Sequence, residues 1–122
     1  MSTWRRKAIE CLPAKRTSIA SENSINVVFS ILLEGVVQAH RENDAVTLRK
    51  CYDFAAWCHC QRDKALWNAA DISFYRHLPS RSETRDSMPL WVAKGIYLEV
   101  RDLLLAFHGA EIIQELDKSY QK

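Results

Sequence analysis

The sequence predicts an all-α protein, a compact bundle of about six helices arranged as antiparallel hairpins. Apolar residues recur at helical spacing along most of the 122 residues, and only three glycines and three prolines interrupt them. A chain of this length ordinarily forms one domain and buries enough apolar surface to fold without disulfides. We therefore expect a single helical domain over residues 1–122, with a short basic N-terminal helix and linker at 1–20 and a polar loop at 78–89.

The first predicted helix is short, carries Trp4 on its apolar side and ends before Pro13. The next covers residues 22–40, because its apolar residues fall within one arc at about 100° per residue. That stripe consists of Ile25, Phe29, Leu32, Leu33, Val36 and His40. Val27 and Ile31 lie on the opposite side, so either this helix is packed on two faces or part of its back face is an interaction surface.

Two further helices are predicted over residues 45–61 and from Asp63 onwards. Asn43 and Asp44 mark a turn and an N-terminal cap before the first of them. Its inner face carries Leu48, Cys51, Tyr52, Phe54, Ala55, Cys58 and His59. The inner stripe of the second consists of Leu66, Trp67, Ala70, Ser73, Phe74 and His77. Short turns between such helices make them antiparallel neighbours.

Prolines and glycines divide the C-terminal third. Pro79 and the run SRSETRDSM interrupt the helical period, which predicts the polar loop, and Pro89 suits the first turn of a new helix. The apolar face of that helix carries Leu90, Ala93, Ile96, Tyr97, Val100, Leu103, Leu104 and Phe107. Gly95 either splits this segment or lies within it. Gly109 is typical of a helix stop and precedes a terminal amphipathic helix.

Charge and hydropathy restrict the classes of partner. Residues 1–16 carry five basic side chains against Glu10 alone, a net charge of +4, so the rest of the chain carries −2 of the formal +2. This distribution lacks the basic stripe that phosphate contacts require, and we expect no nucleic-acid partner. No apolar run has the length of a membrane span or the form of a secretory signal. The sequence therefore predicts a cytoplasmic protein with no membrane partner.

Cysteine spacing argues against a metal centre. Cys51 and Cys58 are seven residues apart and share a helical face, whereas Cys60 points away from both. Structural zinc needs four converging ligands, so we predict no metal site and no cofactor, with Cys51 and Cys58 buried as small apolar residues. The sequence contains none of the glycine-loop, metalloprotease or nucleophile motifs of familiar enzymes. We expect a non-enzymatic protein without catalytic residues.

Aromatic residues on the outer faces of two helices predict a partner-binding surface. Trp57 projects from the side of its helix that also carries Asp53, opposite the inner stripe. The next helix places Tyr75 beside Asn68 and Asp71 in the same way. Exposed aromatic side chains often dominate the binding energy of protein interfaces. The predicted partner-binding residues are therefore Asp53, Trp57, Asn68, Asp71 and Tyr75, unless the N-terminal or C-terminal helix covers them.

The pattern FAAWC, followed by LWNAADISFYRHL and an MPLW helix, resembles small bacterial all-helical proteins, some of them similar to the immunity partners of Rhs-type polymorphic toxins. The resemblance covers Tyr52 to Leu104 and implies an antitoxin that blocks the active site of a cognate protein toxin. Near-neutral charge favours an ADP-ribosyltransferase or another non-nuclease toxin, since inhibitors of basic nucleases use dense acidic faces. The alternative is a self-associating helical adaptor or regulator. The free protein is expected to be a monomer or a weak dimer.

Overall fold

A computed structural model describes residues 1–121, most of which lie in helices and none of which form a strand. Its α-helices are α1 (Thr3–Cys11), α2 (Arg16–Ser21), α3 (Ile25–Glu42), α4 (Ala45–His59), α5 (Lys64–Ser73), α6 (Ser82–Arg85), α7 (Met88–Trp91), α8 (Lys94–His108) and α9 (Ala110–Gln121). Two short 3₁₀ helices occupy Pro13–Lys15 and Tyr75–Ser80. In this part of the chain, no helix combines the length and apolar character needed to cross a membrane. The all-α prediction is confirmed. The predicted number of about six helices is too low, because residues 1–121 form nine α-helices.

Side-chain caps begin the three central helices. Ser24, Asp44 and Asp63 each accept a hydrogen bond from a backbone N–H in the first turn of α3, α4 and α5 respectively. These caps satisfy N–H groups that have no partner within the helix. After α3, Asn43 adopts left-handed backbone with a φ of 55°, which is a common way to end a helix. The chain then enters α4 directly after the Asp44 cap.

The aromatic centre of the core lies where α3, α4 and α5 pack against one another. Phe29 of α3 stacks on Phe54 of α4, with ring centroids 5.4 Å apart. Phe74, which follows α5, packs against Phe29 at 5.8 Å and against Tyr52 at 5.7 Å. Each large apolar side chain buried in this way contributes about 1.5–3 kcal/mol. The cluster therefore holds the three helices together.

The remaining helices pack around this centre. α1 contacts α4 and α3, the 3₁₀ helix Tyr75–Ser80 contacts α5 and α8, and α8 contacts α9. The buried apolar residues form one continuous cluster from Ala8 in α1 to Leu116 in α9. The arrangement of neighbouring helices as antiparallel hairpins stays a prediction.

The apolar face predicted around Pro89 is only partly correct. Leu90 is 84% exposed and Phe107 is 51% exposed, although both were expected inside. Extended backbone at Val92 separates α7 from α8, so the helical phase starts again at Lys94 and Leu90 does not share the α8 face. The break thus precedes Gly95, which lies in the first turn of α8.

The polar loop predicted at residues 78–89 is instead built from short helices. It contains the end of the second 3₁₀ helix, all of α6 and the start of α7. Leu78, Thr84 and Met88 are buried within it. The Thr84 hydroxyl donates a hydrogen bond to the Leu78 carbonyl oxygen, which compensates for the burial of a polar group. The prediction failed because it was based on the polar composition of this segment, which gives no sign of these inward-facing side chains.

The linker predicted within residues 1–20 is also helical. α2 buries Ile19 completely. The Arg5 guanidinium of α1 donates hydrogen bonds to the carbonyl oxygens of Ile19, Ala20 and Glu22. Carbonyl groups at a helix end lack partners within the helix, so Arg5 caps α2 and fixes it to α1.

Candidate functional site

A groove of about 730 Å³ lies between α1 and α4 and is termed here the Trp57 groove. Its lining residues are Lys7, Glu10, Cys11, Pro13, Lys50, Asp53, Phe54 and Trp57. A concave surface that combines an aromatic side chain with a charged rim is typical of binding sites.

Helical spacing explains why these residues meet. On α4, Lys50, Asp53 and Trp57 are three and four residues apart, which places them on one face of the helix. On α1, Lys7 and Glu10 are three residues apart and share a face in the same way. Because α1 packs against α4, the two faces form the two walls of the groove.

The Trp57 ring is held from two sides. It stacks on Phe54, with ring centroids 6.4 Å apart and an interplanar angle of 19°. The Lys7 ammonium lies 5.0 Å from the centroid of the Trp57 ring, a cation–π contact of about 0.5–1 kcal/mol at an exposed site. Trp57 is therefore half-buried: α1 covers part of the ring, and the rest faces the groove.

The rim of the Trp57 groove carries balanced charge. Lys7 and Lys50 supply two positive charges, and Glu10 and Asp53 supply two negative charges. Asp53 is exposed, as the sequence predicts. A rim of mixed sign recognises its partner through complementary pairs and not through overall attraction.

Buried thiols form the inner side of this region. The Cys11 thiol donates a hydrogen bond to the Lys50 carbonyl oxygen, with sulfur and oxygen 3.2 Å apart. Contact with Cys11, together with burial, raises the pKa of the Cys51 thiol far above its usual range. Burial raises the pKa of Cys58 to about 12. Cys51 and Cys58 are therefore protonated at neutral pH and serve as apolar packing groups, as predicted.

Tyr75 is not on the surface, and the prediction of an outward-facing side chain is wrong. It is 1% exposed, and its ring lies edge-on to Phe74 with centroids 5.4 Å apart. The physical reason is that α5 ends at Ser73 and the chain continues as a 3₁₀ helix. Phe74 leaves helical backbone, with φ −123° and ψ −72°, and the 3₁₀ helix that Tyr75 begins packs against α5 and α8, so Tyr75 lies inside.

Asp71 belongs to a separate polar cluster with His59. The Nδ1–H of His59 donates to the Asp71 carboxylate at 2.7 Å, and the two side chains are 7% and 17% exposed. Burial raises the pKa of the Asp71 carboxyl, while the hydrogen bond from His59 acts in the opposite sense. The His59 Nε2 is buried 3.4 Å from a Glu99 oxygen. The cluster joins the end of α4 to α5 and α8.

Only two of the five predicted partner-binding residues, Asp53 and Trp57, line the Trp57 groove. The three outside it are Asn68, which is half-buried on α5, Asp71 and Tyr75. The sequence analysis missed Lys7 and Glu10. Their three-residue spacing indicates that they share a helical face, but no nearby sequence pattern indicates that α1 packs beside Trp57.

The ionisable side chains of residues 1–121 do not form a metal-binding group. No three His, Cys, Asp or Glu side chains in this range form a group that could hold a metal ion. The His59 Nε2 is buried and lies 3.4 Å from a Glu99 carboxylate oxygen, so it is not presented to a substrate at the surface. What the Trp57 groove offers is an aromatic surface with hydrogen-bonding and charged groups at its edge.

Comparison with known proteins identifies the family of the chain. No curated protein and no solved structure matches it. A family model described as Domain of unknown function (DUF7674) matches residues 6–104, a range that includes every residue of the Trp57 groove. Since this range makes up most of the 122 residues, the chain belongs to the DUF7674 family.

Proposed function

We propose that this protein is a non-enzymatic binding domain whose partner docks in the Trp57 groove. The observation that carries the proposal is the half-buried indole of Trp57, held by Phe54 and Lys7 and open on its remaining side. An aromatic side chain fixed before binding loses little conformational freedom on association. Such residues are the usual energetic centres of protein interfaces.

The partner is most concretely a polymorphic toxin, and the protein is its immunity partner in the cytoplasm. The resemblance of the segment from Tyr52 to Leu104 supports this assignment, and Trp57 lies in that segment. Inhibition by blocking the toxin active site requires no cofactor and no catalytic residue in the inhibitor. The balanced rim charge favours an ADP-ribosyltransferase or another non-nuclease toxin over a strongly basic nuclease.

The test is protection of cells that express the toxin domain encoded beside this gene. Asp53→Lys reverses an exposed charge at the groove rim, so it should slow association and reduce protection. Trp57→Ala should weaken the toxin complex about 30-fold, the equivalent of about 2 kcal/mol. Dissociation constants of the purified complexes should follow the same order as protection.

Two control variants separate binding from folding. Asp102→Lys makes the same charge change on the exposed side of α8, outside the groove, and should protect as well as the wild type. Tyr75→Ala should unfold early, because loss of a buried aromatic side chain costs about 3–5 kcal/mol. Full protection by both Asp53→Lys and Trp57→Ala would contradict the proposed site. A wild-type protein that protects against no neighbouring toxin but forms a dimer lost in Trp57→Ala would favour the self-associating adaptor.

A further inference from the structure

A second groove, of about 750 Å³, runs along α3 on the other side of the segment that connects α1 to α2 and is termed here the α3 groove. Its lining residues are Leu12, Ala14, Lys15, Ser18, Val27, Ser30, Ile31, Glu34, Gly35, Gln38, Ala39, Glu42, Asp44 and Thr47. It shares no residue with the Trp57 groove. Any ligand of the α3 groove therefore meets a separate surface.

A row of apolar and small residues on α3 runs along the α3 groove. Val27, Ile31, Gly35 and Ala39 follow one another at intervals of four residues, the spacing of the side-chain rows that direct helix–helix packing. Val27 is 43% exposed, and Ile31 is half-buried. From Val27 to Ala39 the row extends about 18 Å, which corresponds to roughly three helical turns.

Gly35 leaves room for the Leu12 side chain against α3. A Cβ at this position would lie 2.6 Å from Cδ1 of Leu12, so the glycine allows the Leu12 side chain to rest on α3. Leu12 is itself half-buried and closes one side of the groove. The apolar surface of the groove thus continues from α3 to the connection after α1.

Acidic side chains outnumber basic ones along the α3 groove. Glu34, Glu42 and Asp44 line it, against Lys15 as the basic residue. Glu34 also pairs with Arg81 at 3.2 Å, but both side chains are largely exposed, so the pair is weak. The charge of the groove is therefore complementary to a basic ligand.

We propose that the α3 groove receives one amphipathic helix of a partner protein, about three turns long. The apolar face of that helix contacts Val27 and Ile31, and its basic flank faces Glu34 and Glu42. This binding mode is the insertion of a helix into a groove, with anchor residues one turn apart. The proposal does not depend on the function of the Trp57 groove, because the two grooves are distinct.

The probe is a fluorescent helical peptide of about 14 residues made of leucine and lysine in amphipathic order, titrated with the full-length protein. A matched peptide carries glutamate in place of every lysine. The leucine–lysine peptide should bind at least about tenfold more tightly than the leucine–glutamate peptide, a difference of about 1.4 kcal/mol. Equal binding of the two peptides would overturn the proposal, as would no detectable binding at about 1 mM.

Paired variants localise the binding. Val27→Lys and Glu42→Lys should each weaken binding of the leucine–lysine peptide about tenfold or more. Val46→Lys is the control for Val27→Lys, because Val46 is 66% exposed and lies outside the groove. Glu115→Lys, at an exposed position of α9, is the control for Glu42→Lys. Controls that weaken binding as much as the groove variants would overturn the proposal, because the peptide would then bind without specificity.

Analytical ultracentrifugation tests the competing occupant, a second copy of this chain. The wild type and Val27→Lys should sediment alike at the concentrations used for peptide binding. A wild-type dimer that is lost in Val27→Lys but kept in Val46→Lys would overturn the partner-helix proposal, because the groove would then be a homodimer interface.

Discussion

At the residue scale, Cys58 and Cys60 lie two positions apart at the end of α4 but differ completely in solvent exposure. Residues two positions apart on an α-helix are separated by about 200° of rotation about the helix axis. Cys58 accordingly faces the core with no exposed surface, whereas Cys60, the residue after α4, is exposed. The raised pKa of Cys58 has the same cause, since burial disfavours a thiolate.

This difference gives a direct test of the core. Cys58→Asp should lower the free energy of unfolding by about 3 kcal/mol or more, because it places a carboxyl without a partner in an apolar site. Cys60→Asp should change it by no more than about 0.5 kcal/mol. Urea unfolding followed by circular dichroism measures both. Small and equal effects of the two substitutions would contradict the inward orientation of Cys58 and the outward orientation of Cys60.

At the scale of elements, a carboxylate on α9 links this helix to α8. The Arg101 guanidinium donates two hydrogen bonds to the Asp117 carboxylate, at 3.0 and 2.7 Å. The Tyr97 hydroxyl donates a third at 2.7 Å, and the Tyr97 ring stacks on Tyr120 with centroids 4.2 Å apart. The hydrogen bonds from Arg101, followed by that from Tyr97, hold the pKa of the Asp117 carboxyl below its usual value. We therefore expect the packing of α8 on α9 to weaken in acid.

The sign of this pH dependence follows from the lowered pKa. The contribution of Asp117 to stability is fully present above the ordinary aspartate pKa and is lost as the pH falls through the depressed folded-state value. We expect Asp117→Asn to cost about 1 kcal/mol at neutral pH, a modest value because the pair is partly exposed to solvent. That cost should disappear in strong acid.

The measurement is urea unfolding of the wild type and Asp117→Asn at neutral pH and at about pH 2, well below the ordinary aspartate pKa. Asp102→Asn, a matched change at an exposed position of α8, serves as the control. If Asp117→Asn and Asp102→Asn differ equally from the wild type at both pH values, the Arg101 pair does not contribute as described.

At the scale of the whole molecule, folding is expected to proceed without metal. The apolar core is continuous from α1 to α9, and burial on this scale is the dominant favourable term in folding. The purified protein should contain no stoichiometric zinc and should keep its helical circular dichroism in excess chelator. Loss of ellipticity on chelation, restored by zinc, would contradict this prediction, since structural zinc sites contribute directly to folding.

The segment after α1 has a second role at this scale, because it separates the two grooves. Cys11 and Pro13 line the Trp57 groove, while Leu12 and Lys15 line the α3 groove. The packing of α1 on α4 and α3 therefore shapes both surfaces at once. The buried residues of α1, namely Ala8, Ile9 and Cys11, hold this segment in place.

Much of the candidate site was predictable where it depends on one helix. Asp53 and Trp57 were assigned to the same outer face of α4 from their four-residue spacing, and both line the Trp57 groove. The assignment of Tyr75 was wrong because it assumed that α5 continues as an α-helix past Ser73. The break in helical backbone at Phe74 leaves no reliable signal in the sequence, and neither does the packing of the following 3₁₀ helix against α8.

Local sequence pattern was enough to predict the all-helical class, the inner face of α4 and the helix boundaries that Asp44, Asp63 and Gly109 mark. For α3 it predicted Phe29, Leu32 and Val36 correctly but missed the buried Val28, Val37 and Ala39. These properties depend on residues a few positions apart in the chain. The helical period of the apolar residues and the capping residues can therefore be recognised within a short stretch of sequence. Packing between distant helices is the reason that α1 covers part of Trp57, that Tyr75 is buried and that Leu90 remains outside. Those outcomes depend on which helices meet, and side-chain packing between residues far apart in the chain is not encoded in any local pattern.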